Sequence, residues 1–393
     1  MTVKTSGQVH YLDHAATTPM VDAAVEAMTT HLRDVGNPSS LHASGRHARR
    51  VVEESRETVA QALDCRPSEV VFTSGGTEAD NLALKGIHWA RSAELGPGAR
   101  IISSAVEHHA VLDPLDWMQQ AGEAEVCLLG VDAVGRIDLD ELDRRLAERP
   151  VSLVSVMWAN NEVGTLQPID EVVALAARHG VPVHTDAVQA LGSVPLGFAA
   201  SGVDAMTVTG HKVGGPFGVG ALVVRRDLGL TPLLHGGGQE RDVRSGTLDT
   251  PAIAGFAAAV ELAVKRQSEH ADHVSALRDQ LVSRVLAAVP EAHLHGDPLD
   301  RLPGNAHLGF PGCEGDSLLM LLDARGIECS TGSACSAGVA QPSHVLLAMG
   351  CAPEAARHSL RFSFGHTSTQ ADVDAVVEAI VPVVERARAA RRS

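Results

Sequence analysis

Short apolar runs separated by helical segments constrain this chain more than any other feature. The runs fall at residues 70–73, 101–104, 126–130, 151–157, 181–184, 204–209 and 219–225. Helical spacing lies between several of them, as at 46–63, at 169–179 and from the mid-70s to about residue 93. Short apolar strands alternating with helices predict an α/β fold with a mostly parallel sheet covered on both faces. In open sheets of this kind, ligands bind beyond the carboxyl ends of the strands. That rule selects residues 74–77, 106–109, 159–162, 185–189 and 209–212, which are polar or glycine-rich.

The texture changes after Pro251. Residues 252–289 read as one long helical stretch rich in Ala and Leu. Strands follow near 305–310, 327–330 and 359–364, with a helix at about 315–325 and a last amphipathic helix from about Gln370. This predicts a smaller α+β domain. The expected division is 15–258 for the large domain, and 1–14 plus 259–393 for the small one. A length of 393 residues is long for one core, which agrees with two.

The net charge of −16 argues against direct binding to nucleic acid. No run approaches a membrane span and the start has no apolar leader, so a cytoplasmic protein is expected. The six cysteines form no CxxC pair, which predicts free thiols in a reducing compartment and no metal.

The selected segments suggest one chemistry. SGGTEADN follows a strand and opens a helix. Its glycines and Thr77 offer free N–H groups to a phosphate, although taken alone an ordinary cap by Thr77 is the better explanation. Asp186, in HTDAVQA, suits a cationic ring nitrogen or a helix cap. Of His108 and His109, one suits stacking on a planar ligand or moving protons, and His109 reads as satisfied by a backbone carbonyl. Asn160 and Asn161 suit a ring substituent or turn contacts. Lys212 stands at a strand end in TGHKVGGPFGVG, with Thr209 and His211 as further phosphate contacts. A lysine near a phosphate cradle, a carboxylate and a histidine matches the needs of pyridoxal 5'-phosphate. The amine forms a Schiff base, and the carboxylate keeps the pyridinium protonated. Cys335, in CSTGSACSAG, has small neighbours that suit a reachable nucleophilic thiol. Arg361, in SLRFSF, wants an anionic partner, either a substrate carboxylate or a structural salt bridge.

Taken in order, YLDHAATTP, GNPSSLHASG, VVFTSGGTEADNLALKG, VEHHAVL, NNEVGTLQPI, HTDAVQALG, TGHKVGGPFGVGALVVRR, HGGGQERDVRSGT, GCEGDSLLMLL, STGSACSAG and SLRFSFGHT resemble the cysteine desulfurases of the NifS/IscS group. These belong to the class-V aminotransferases, pyridoxal-phosphate enzymes of the aspartate-aminotransferase-like fold type I. The resemblance covers nearly the whole chain and is closest in texture to actinobacterial members. It implies that Lys212 holds the cofactor, His108 stacks on its ring and moves protons, and Asp186 pairs with the ring nitrogen. It gives Gln189 the phenolic oxygen, Asn161 a place near ring and substrate, and Gly76, Thr77, Thr209 and His211 the phosphate. Thr247 would reach the phosphate of the neighbouring subunit, which implies a homodimer. Arg361 would receive the carboxylate of L-cysteine, and Cys335 would attack its sulfur. The products are L-alanine and a persulfide on Cys335, passed on to an iron–sulfur scaffold protein or a tRNA-thiolation enzyme. The glycines around Lys212 would leave room for the ring. Two departures from the family pattern stand out: VGGPFG follows Lys212 where Tyr or Phe and a Lys are frequent, and Thr209 replaces a common Ser but keeps the hydroxyl. Rival readings are a selenocysteine lyase or aminotransferase of the same fold, or a sulfur-relay adaptor without catalysis. The adaptor has no need of Lys212, Asp186 and His108 together.

Overall fold

The apolar runs between residues 70 and 225 become a single seven-stranded sheet. The structure is a computed structural model that describes residues 9–96, 98–332 and 342–392. In chain order the strands are β1 (His10–Tyr11), β2 (Val70–Thr73), β3 (Arg100–Ser104), β4 (Glu125–Leu129), β5 (Val151–Ser155), β6 (Val183–Asp186), β7 (Ala205–Thr209), β8 (Gly220–Val224), β9 (His293–His295), β10 (Asn305–Gly309), β11 (Ile327–Glu328) and β12 (Ser359–Ser363). The large sheet has the order β2-β8-β7-β6-β5-β3-β4. Only β8 runs against the others, pairing antiparallel with β2 and β7.

Alternate residues of one strand feed two different cores, as the period of two requires. Phe72, Ile102, Val154 and Val223 face one side, where the helices Ala43–Ala62, Ile169–Arg178 and Thr250–Lys265 pack. Val71, Ile101, Leu153 and Leu222 face the other, against Gly76–Leu95 and His109–Gln120. Covered on both faces, every strand but β4 is wholly buried. This is why the runs were short and continuous rather than alternating.

A second core gathers Leu308, Phe310, Leu360 and Phe362 with the helices Gln267–Ala288, Gly315–Asp323 and Gln370–Arg392. It holds the antiparallel sheet β12-β10-β9 and the small parallel pair of β1 and β11, and Leu12 enters it from the chain start. The single helix expected over 252–289 is two helices, Thr250–Lys265 and Gln267–Ala288. The first buries Ile253, Phe256 and Val260 in the large core. The second buries Val274, Leu277, Leu281 and Val285 in the other. One straight helix cannot serve both, and the chain breaks at Arg266, where φ is −101° and ψ is 6°. Among the described residues no helix is long and apolar enough to cross a membrane.

Candidate active site

The carboxyl ends of β2, β3, β5, β6 and β7 open onto one cavity of about 360 Å³. Lys212 lies in the connection that turns β7 back into β8. The turn is tight. A Cβ on Gly210 would fall 2.7 Å from the Pro216 carbonyl oxygen, and one on Gly220 would fall 2.7 Å from that of Val208. These two glycines therefore admit neighbouring backbone. A Cβ on Gly218 would meet nothing within 4 Å, so close approach of neighbouring backbone explains Gly210 and Gly220 and not every glycine of the hairpin. Lys212 Nζ donates to the carbonyls of Ala15 (2.5 Å) and Ala16 (2.8 Å). Burial, followed by the charge of Arg361, lowers its pKa to about 8, against the opposing pull of Asp13 and Asp186.

The helix Gly76–Leu95 points its start into the cavity. Its cap is Gly75, with no side-chain cap bond, so Thr77 is not the cap and the first amides remain available. Gly76, Thr77, Thr209 and His211 all line this end of the cavity. Uncapped amides of a 20-residue helix beside two hydroxyls suit a phosphate. Asp186 sits at the other side, and its Oδ1 accepts the Val188 N–H at 2.9 Å. Burial raises its pKa to about 6, while the Val188 amide and Lys212 draw it down. A buried carboxyl with so little compensation suits a cationic ring nitrogen, which would return it to the ionised form. These features fit pyridoxal phosphate.

His108 faces the cavity as the cap of the helix His109–Gln120, and its Nδ1 accepts the Ala110 N–H at 3.1 Å. The neutral ring therefore carries its proton on Nε2. Burial, then the charge of Lys212, lowers its pKa to about 4. His109 pairs with the Asp113 carboxylate at 2.9 Å, not with a backbone carbonyl as expected. The two asparagines divide their roles. Asn160 is buried, and its Oδ1 takes the N–H groups of Glu162 and Val163, so it builds the turn. Asn161 lines the cavity, and its carbonyl accepts from Arg361 at 2.8 Å. Arg361 lies on β12 and also meets Asp13 at 2.8 Å. The salt bridge and a place on the cavity wall thus coexist. Gln189 lines the cavity too, and donates to the Ala15 carbonyl at 2.9 Å.

Thr247 is exposed and lies outside this lining. Cys335 falls outside the described residues. Further residues complete the wall: Ala15 and Ala16 through their carbonyls, Asp80, Ser330 and His344, with Glu162 from the selected segment 159–162. Asp80 and Glu162 are buried acids whose pKa burial raises. Glu162 was visible in the sequence as the last residue of the strand-end segment 159–162.

Comparison with known proteins gives the family. The aminotransferase class-V family matches residues 10–376. An IscS-like cysteine desulfurase of Mycobacterium tuberculosis is 57% identical over 383 residues, covering 97% of each chain. Among solved structures, a NifS-like protein superposes with a TM-score of 0.88 at 36% identity, covering 96% of this chain and 99% of its own. SspA in complex with cysteine superposes with a TM-score of 0.77 at 32% identity, covering 92% and 100%.

Proposed function

Since the chain belongs to the class-V aminotransferase family, as one of its cysteine desulfurases, we propose that the cavity around Lys212 binds pyridoxal 5'-phosphate and L-cysteine. The observation that carries this reading is the convergence of Lys212, Asp186, His108 and an uncapped helix start on one cavity. Bound there, the cofactor supplies an electron sink for the substrate's α-carbon. Lys212 would hold it through Nζ. A pKa near 8 leaves about 300-fold more free amine at neutral pH than an ordinary lysine has. Asp186 would hold the ring nitrogen, Gln189 the phenolic oxygen, and Asn161 would lie beside ring and substrate. Gly76, Thr77, Thr209 and His211 would hold the phosphate. His108 would stack on the ring, and with Nδ1 taken by the Ala110 N–H it would offer Nε2–H as a donor.

Arg361 is pre-set for the substrate carboxylate, since Asp13 and the Asn161 carbonyl fix its plane. The cysteine-bound relative supports L-cysteine as the substrate. Cys335 would take its sulfur as a persulfide, leaving L-alanine. An iron–sulfur scaffold protein or a tRNA-thiolation enzyme would then receive the sulfur. The exposure of Thr247 supports a role at the neighbouring subunit's phosphate, in a cytoplasmic homodimer. The two cores support a division into two units, but Ala259 and Val260 belong to the first core, which favours a boundary at Arg266 over the expected one after residue 258. Borohydride reduction of the loaded enzyme followed by peptide mapping tests the assignment. The label should lie on Lys212, and a label on another lysine would overturn it.

A further inference from the structure

Two histidines and an aspartate converge away from the cavity, where the first helix of the chain meets the second. His31 is the last residue of the helix Asp22–His31. The Asp34 N–H bonds back to the His31 carbonyl at 3.1 Å, so the turn brings Asp34 beside the imidazole. His47 comes from the helix Ala43–Ala62. A Cβ on Gly36 would collide with the Ser44 carbonyl oxygen, so this glycine lets the loop lie directly on the second helix. Asp34 Oδ2 then stands 2.8 Å from His31 Nδ1 and 3.2 Å from His47 Nε2. Among the described residues these are the one set of three His, Cys, Asp or Glu donor atoms that all lie within 4.8 Å of one another. Both imidazoles open onto a hollow of about 310 Å³, whose wall also carries Glu54, Glu261 and Arg50. With Asp34 that makes three acids against one guanidinium, a balance that suits a cation.

We infer that His31, Asp34 and His47 bind a divalent transition ion of the zinc class, which ties the end of the first helix to the second. Zinc takes imidazole nitrogen and carboxylate oxygen at about 2.0–2.2 Å, so the ligands of a tetrahedral ion stand about 3.3–3.6 Å apart. The 3.2 Å spacing nearly meets this, and the 2.8 Å spacing must open by at least about 0.5 Å, which an exposed loop carboxylate can supply. Calcium and magnesium want oxygen ligands, and two imidazoles with one carboxylate do not suit them. Water in the hollow would complete the shell. Arg50 works against binding. Its guanidinium donates to His47 Nδ1 at 3.1 Å, which places the imidazole proton on Nε2, the ligand atom. On binding, that proton moves to Nδ1, where Arg50 offers no acceptor. The exposed Arg50 must then turn aside, toward Glu54, whose carboxylate is already 3.9 Å away. Cysteine spacing predicted no metal, and no cysteine belongs to this set.

The test is calorimetric titration of the purified full-length protein with zinc after chelator treatment. Wild type is compared with H47Q, D34N and R50Q. Wild type should take up one ion per chain at this site. H47Q and D34N each lose a ligand, so affinity should fall by at least about 100-fold, the upper end of what losing an outer-shell partner costs. R50Q removes a positive charge and gives Nδ1–H an acceptor, so it should bind about 10-fold tighter. X-ray absorption of the zinc-loaded protein should show nitrogen and oxygen neighbours alone. Zinc should raise the melting temperature of wild type and not of D34N, and equal melting of the two without zinc establishes that the variant is folded. Wild type that takes up no zinc overturns the inference. Uptake unchanged in H47Q and D34N, or sulfur among the neighbours, puts the ion elsewhere and overturns it too. An R50Q protein that binds no tighter overturns the assignment of His47 Nε2 as a ligand.

Discussion

Removing Glu240 should be among the most damaging changes outside the cavity. The Glu240 carboxylate is fully buried and meets Arg56, whose side chain is 4% exposed, at 2.7 and 2.8 Å. It also accepts the Phe72 N–H of β2 at 2.9 Å. Burial alone would lower the Arg56 pKa, yet Glu240 holds it above the ordinary value. Glu240→Ala therefore leaves the buried Arg56 guanidinium with only the exposed Glu53 carboxylate at 3.2 Å and the Val70 carbonyl at 2.8 Å, and strands an amide of the sheet. Breaking such a pair costs about 3–5 kcal/mol. With an unfolding entropy of about 2.1 cal/mol/K per residue over 393 residues, the melting midpoint should fall by roughly 4–6 °C. The companion Arg56→Met, Glu240→Leu double variant removes both charges and should recover most of the loss. Scanning calorimetry of the three proteins reads this directly. A Glu240→Ala melt within 1 °C of wild type would refute the reasoning, and so would a double variant less stable than the single one.

Three further outcomes follow from the cavity. The attack of Lys212 on an aldehyde should accelerate as pH rises from 6 and level off above about 8, because burial moves its pKa there; the absorbance change on adding pyridoxal phosphate to apoenzyme reports it, and a rise continuing to pH 10 would contradict it. The folded-state pKa of Asp186 is raised to about 6 from an ordinary carboxyl near 4, so its destabilisation is absent below about pH 4, grows as pH rises and is complete above about 6. Asp186→Asn should accordingly raise the apoenzyme melting temperature at pH 8 and leave it unchanged at pH 4. Arg361→Lys keeps the charge but not the planar fork, so KM for L-cysteine should rise by at least about 10-fold with a smaller change in kcat, and an unchanged KM would remove Arg361 from substrate binding.

The sequence showed the large sheet well because its strands are buried on both faces, which leaves adjacent rather than alternating apolar residues, as in VVF of β2 and II of β3. The strands β1 and β9 escaped notice because they are two and three residues long, and HLH carries two histidines. The break at Arg266 was invisible because helical spacing does not say which core a helix serves. Most of the polar cavity wall was legible from the rule that ligands gather at carboxyl strand ends. The Ala15 and Ala16 carbonyls that hold Lys212 were not, since backbone groups leave no trace in residue type. Nor was the pairing of Glu162 with His344, which are separated by a long stretch of chain and meet only in the fold.

The central claim is most directly tested by measuring L-alanine formed from L-cysteine by the purified protein with pyridoxal phosphate and a reductant. Wild type, Cys335→Ala and Lys212→Ala would be run side by side. The account expects alanine from wild type and from neither variant. Alanine at the wild-type rate from Cys335→Ala would contradict sulfur transfer through that thiol, and the same result from Lys212→Ala would contradict the site as built.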